Sequence, residues 1–90
     1  MPVVKGRIGK QKVETLRDTG CSGVIVKDKF VNPEQYSGKE GFMILVDNTV
    51  KSAPFANISV ETPFFCGEVE ALCLPDAIYD LIIGNIPGAR

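Results

Sequence analysis

Histidine is missing from the 90 residues. Without an imidazole base, Ser-His-Asp and Cys-His hydrolysis are excluded. The common zinc and iron sites, which need imidazole or four thiolates, lack their ligands as well. The three cysteines, Cys21, Cys66 and Cys73, form no Cys-x-x-Cys pair. Their odd number predicts reduced thiols in an intracellular setting, each read as a small buried hydrophobe. No apolar run approaches the about 20 residues that a membrane-spanning helix needs. Neither sign of charge is in excess, since ten basic side chains face eleven acidic ones for a net charge of −1. That balance leaves no electrostatic footprint for nucleic acid or an anionic membrane, and neither is expected as a partner.

What is present is a globular composition, 44% hydrophobic and 23% charged. The length suits one domain, expected to span residues 1–90. A chain this short buries only about 60–65% of the surface it exposes when unfolded, so its core is thin and a second chain would help to cover it. Turn residues break the sequence into short strands with no convincing 3.6-residue periodicity. Val3 to Ile8 and Lys12 to Leu16 flank Gly9-Lys10 as a hairpin. The continuous apolar run Val24-Ile25-Val26 predicts a strand covered on both faces. Lys27 to Gly41, rich in charge and containing Pro33 and Gly38, is expected to be an exposed connection with one helical turn near Lys27 to Val31. Phe42 to Val46 and Val50 to Val60 form a second hairpin around Asp47-Asn48-Thr49. Phe64 to Leu74, kinked at Gly67, and Tyr79 to Ile83 complete six or seven strands, so the fold class is all-β, a closed sheet or sandwich.

Chemistry concentrates at Asp18-Thr19-Gly20. Asp followed shortly by Gly is what any turn uses, but here an alternating strand leads in and a buried strand leads out. A second apolar strand ending in glycine, Leu81-Ile82-Ile83-Gly84, lies 66 positions further on. In these features the chain resembles the retropepsin-like aspartic proteases of retroviruses and gypsy-type long-terminal-repeat retrotransposons. Asp18-Thr19-Gly20 resembles the catalytic triplet, Phe42 to Phe55 falls at the flap, and Leu81-Ile82-Ile83-Gly84-Asn85 resembles the apolar-Gly motif before a C-terminal helix.

The resemblance implies a small barrel-like protomer, active as a homodimer, that cuts polypeptide segments of its own polyprotein without cofactor or metal. Asp18, Thr19 and Gly20 would be catalytic. Thr19 would bond across the dimer, and Gly20 would let substrate backbone approach. Ser22, the tip Asp47-Asn48-Thr49 and Ile83 would contact substrate, and Gly84 and Asn85 would form a structural motif. Ser22 and Asn85 stand where viral members carry Asp and Arg, a neutral pair replacing a charged one. Such a protease would work in the cytoplasm or inside virus-like particles, and the chain would be part of a longer polyprotein.

Chemistry asks for the dimer independently. Peptide hydrolysis without metal or imidazole can be driven by two carboxylates sharing one proton, the ionised one activating water and the neutral one protonating the carbonyl oxygen. One triplet supplies only one carboxylate. Arg17, at a position usually apolar in the family, is expected to point to solvent by strand alternation. With the C-terminal Pro87-Gly88-Ala89-Arg90, where the family has a helix, it motivates an alternative reading: a dimeric peptide-binding module of the same fold without turnover. Glu68 and Glu70 are expected on the solvated side of a strand, Cys66 and Cys73 on opposite faces, and Phe55, Phe64 and Phe65 in the core or a groove wall.

Overall fold

The computed structural model describes residues 3–18, 23–44, 48–75 and 77–90, apart from the side chains of residues 43 and 44. Among the described residues, seven strands make up one sheet: β1 (Val3–Ile8), β2 (Gln11–Arg17), β3 (Val24–Val26), β4 (Tyr36–Ile44), β5 (Val50–Glu61), β6 (Cys66–Cys73) and β7 (Leu81–Ile83). Their order is β1-β2-β7-β3-β6-β5-β4, and β1 also pairs with β5. Two residue pairs, Arg7 with Glu61 and Ile8 with Val60, therefore bring six strands back on themselves. Closure removes the free edges that a short sheet would otherwise present. Only β4 lies outside the circuit, as the outer strand of the β4–β5 hairpin.

Gly6 permits the closure. A Cβ there would lie 2.7 Å from both Thr15 Oγ1 and Thr62 Cγ2, so only glycine lets β1 come this close to its neighbours. The enclosed core is built mainly of branched aliphatic side chains that alternate along each strand, including Val13, Val24, Val26, Ile58, Val60, Leu81 and Ile83. A second, smaller cluster joins Ile25, Leu72 and Leu74 to Ala53, with Phe55, Ala77 and Ile82 packed against it. Val24 and Val26 thus face one cluster and Ile25 the other, which is why the continuous apolar run is buried at all three positions. The Cα radius of gyration, 12.0 Å, is what a folded domain of this length should show, about 12 Å.

Differences from the expected elements have local causes. Tyr36 to Gly41 is strand, not connection: β4 faces solvent as an outer strand, so its Ser, Gly, Lys and Glu read as loop. Its register shifts between Tyr36 and Glu40, around Gly38 at φ 84°, and Ser37 Oγ donates to the Phe55 carbonyl at 3.2 Å beside the irregularity. The helical turn is present as a 3-10 turn at Asp28–Phe30, followed by a second at Pro33–Gln35. Phe64 and Phe65 do not begin β6, because their amides donate to Thr62 Oγ1 at 3.1 and 2.9 Å and close a tight turn. Gly67 has φ 135°, yet its pairing with Val60 keeps the β5–β6 register unbroken, so the backbone departs from the ordinary strand range there without interrupting the ladder. Cys73 is buried, but Cys66 is exposed, contrary to its reading as a buried hydrophobe: it begins β6 at the sheet margin, and its thiol donates to the Thr62 carbonyl at 3.4 Å. Glu68 and Glu70 are exposed as expected.

Candidate active site

Asp18 is the first residue beyond β2, half-buried, where the parallel β2–β7 ladder ends. Its amide donates to the Ile83 carbonyl at 3.0 Å. The partner strand β7 is itself held between β2 and β3, pairing Thr15, Leu16 and Arg17 on one side and Val24, Ile25 and Val26 on the other. Just beyond it, the Gly84 amide donates to the Gly23 carbonyl at 2.8 Å. The apolar-Gly motif therefore ties together both ends of the loop that contains the triplet: Asp18 on entry through Ile83, and Gly23 on exit through Gly84. Parallel pairing of β2 with β7 is what joins these segments, setting Arg17 opposite Ile83, 66 residues further along the chain.

Thr19, Gly20, Ser22 and Asp47 lie outside the described residues. Asn48 occupies the hairpin tip with φ 65°, a left-handed conformation that Asn tolerates better than most residues, and both it and Thr49 are exposed. Gly84 is buried just beyond the end of β7. Ile83, expected to meet substrate, has its side chain fully enclosed in the main core at 0% exposure. Alternation in β7 turns Leu81 and Ile83 inward and Ile82 to the other face, where it is half-buried against the second apolar cluster. Ile82 rather than Ile83 is thus the β7 side chain that keeps part of its surface exposed. The sequence carries the signal for this in the parity of Leu81-Ile82-Ile83, with Leu81 and Ile83 on one face.

Arg17 does not point freely to solvent. It shares the parity of the buried Val13 and Thr15 and is half-buried itself. Its guanidinium donates to the Arg90 carbonyl from Nε at 3.0 Å, to the Ile83 carbonyl from Nη1 at 3.2 Å and to Asn85 Oδ1 from Nη2 at 3.1 Å. The tail beyond β7 folds as a short turn, in which the Ala89 amide donates to the Ile86 carbonyl and the Arg90 amide to the Phe64 carbonyl. Pro87 and Gly88, the latter at φ 87°, fit such a turn.

A second polar node braces the same strands from the far end of β7. Asp80 Oδ2 accepts the Glu14 amide at 3.0 Å, and Asp80 Oδ1 lies 3.5 Å from Lys27 Nζ. Elsewhere, burial pushes the Cys73 thiol up to about 11, with the charge of Asp28 adding to the effect. Among the described residues, no three His, Cys, Asp or Glu side chains group as a metal site.

No protein-family model and no curated protein sequence matches the chain. The fold, however, has a solved counterpart. The architecture is an all-β fold of the retroviral-protease type. It is similar to the protease of simian foamy virus (mac), whose structure was determined in solution, with a TM-score of 0.68 over 92% of this chain and 87% of that one. Identity between the two is 16%, so the likeness is one of fold.

Proposed function

We propose that the chain is an aspartic endopeptidase that acts as a homodimer on segments of a retroelement polyprotein. The observation that carries this reading is the position of Asp18, pinned by its amide to Ile83 at the end of β2 and tied through Gly84 to the apolar strand β7, in a fold shared with a foamy virus protease. A carboxylate at a fixed strand end can meet its two-fold mate, and two such groups sharing one proton can hydrolyse a peptide. The ionised Asp18 takes a proton from water as the water oxygen attacks the scissile carbonyl. The protonated Asp18 of the second protomer gives its proton to the carbonyl oxygen. Collapse of the tetrahedral intermediate, with proton transfer to the nitrogen, then releases the amine.

Substrate would lie extended between the β4–β5 hairpin and the apolar patch around Ile82, bonded along its main chain as an added strand. Thr19, Gly20, Ser22 and the hairpin tip Asp47-Asn48-Thr49 would complete the site, in a cytoplasmic or particle-enclosed setting. The test is cleavage of a polypeptide substrate at pH about 4–6, with Asp18→Asn as the control. Turnover that disappears in the Asn variant, while the variant keeps its fold, supports the assignment. Wild-type turnover in the Asn variant refutes it. A dimer that binds peptide and leaves it uncut would instead be the peptide-binding module.

A further inference from the structure

The guanidinium of Arg17 occupies an unusual place, one residue before Asp18, and its three hydrogen bonds among the described residues go to the last eight residues of the chain. Two of them stiffen the surroundings of Asp18 directly. The Ile83 carbonyl accepts both the Asp18 amide, at 3.0 Å, and Arg17 Nη1, at 3.2 Å. A carbonyl oxygen has two lone pairs, so the bonds coexist and together fix its direction. Arg17 Nη2 then reaches Asn85 Oδ1, two residues along the same segment. Arg17 Nε takes the carbonyl of Arg90, whose own amide is bonded to Phe64 in the β5–β6 turn. One planar fork therefore gathers β7, its exit and the tail around the strand end that presents Asp18.

We infer that Arg17 is a positioning residue for Asp18, acting through the Ile83 carbonyl and the tail rather than on substrate; as a claim about catalysis, this rests on Asp18 being the catalytic carboxylate. The geometry asks for arginine in particular. Three acceptors in three directions match the rigid fork of a guanidinium, whereas the ammonium of lysine is a point donor on a flexible stem and cannot reach all three. The bond to the Ile83 carbonyl is part-buried and is strengthened by it, while those to Arg90 and Asn85 are exposed and hold the fork from outside. Loosening the fork frees the direction of the Ile83 carbonyl, and with it the last fixed backbone bond before the triplet. Catalysis by two carboxylates sharing a proton is sensitive to placement on the scale of 1 Å.

Two readouts on Arg17→Met and Arg17→Lys test this. The first is amide hydrogen exchange, followed by NMR. The Asp18 amide should exchange at least tenfold faster in both variants. The amides of Lys27 and Leu74, bonded to Asp80 and Val26, should keep their parental rates. Unchanged protection at Asp18 overturns the inference whatever the activity. The second is steady-state cleavage at a concentration where sedimentation shows each variant to be dimeric. Here kcat should fall about tenfold or more with KM unchanged. Faster exchange at Asp18 with parental kcat overturns the catalytic part, and full recovery by lysine overturns the case for the fork. Asp18→Asn run alongside separates the two ideas. If that variant cleaves normally, the catalytic assignment fails, while the exchange result still judges the clamp.

Discussion

Lys27 is joined to Asp80 twice: its amide donates to the Asp80 carbonyl at 3.0 Å, and its ammonium lies 3.5 Å from Asp80 Oδ1. The other carboxylate oxygen holds the Glu14 amide, so one side chain links β2 to the residue that leaves β3 and sets where β7 begins. Tyr79 and Asp80, expected within that strand, stand just before it.

Asp80→Ala should therefore destabilise the fold by about 0.5–1.5 kcal/mol, because it removes the acceptor of the Glu14 amide together with the ion pair to Lys27. Lys27→Met, which removes only a partly exposed ion pair, should cost under about 1 kcal/mol. Urea denaturation of both variants checks the ranking, and a larger loss for Lys27→Met would contradict it.

Thr15 offers the opposite case. Its side chain is fully buried, and among the described residues its hydroxyl finds no hydrogen-bond partner. Thr15→Val, which swaps that hydroxyl for a methyl of similar shape, should stabilise the protein by about 1 kcal/mol, seen as a rise in Tm of roughly 4–8 °C for a domain of this size. Gly6→Ala, directed at the same hydroxyl and at Thr62, should cost about 1–3 kcal/mol. A fall in Tm for Thr15→Val would show that the hydroxyl is satisfied.

The thiols should separate by environment. Cys66 is exposed and Cys73 buried, with the Cys73 thiol raised from 9.0 to about 11. At pH 8, maleimide labelling read by peptide mapping should find Cys66 modified and Cys73 protected until denaturant is added. The folded state holds the Cys73 proton more tightly than the unfolded chain. Its contribution to stability is therefore complete below about pH 9 and declines as pH rises toward 11. Burial raises the Tyr36 phenol in the same direction. Urea midpoints taken across that window should fall less in Cys73→Ala than in the parent.

If the site is built from two copies of Asp18, activity must follow mass action. Specific activity should drop on dilution in step with the dimer fraction measured by sedimentation. Constant specific activity in the monomeric range would mean that one chain suffices.

The strand pattern was legible because alternation and turn residues are local signals. Val3–Ile8 and Val24–Val26 match their predicted bounds, and the hairpin around Asn48 follows from residue types that accept left-handed backbone. The triplet and Leu81-Ile82-Ile83-Gly84 were also visible, as an ordered pair of motifs. Less legible was β4, since an outer strand with both faces wet carries no alternation to read. The inward or outward sense of Ile82 and Ile83 depends on which side of β7 the main core occupies.

Composition and pattern by themselves determined an all-β fold, a sequence without imidazole, and one candidate carboxylate at a strand end. Tertiary structure decided what that carboxylate is attached to. Pairing of β2 with β7 brings Ile83 to Asp18, a contact across about 65 residues of chain that no local preference encodes. The same pairing turns Arg17 from an expected solvent-facing cation into the anchor of the C-terminal tail, because its three acceptors come together only once β7 is in place.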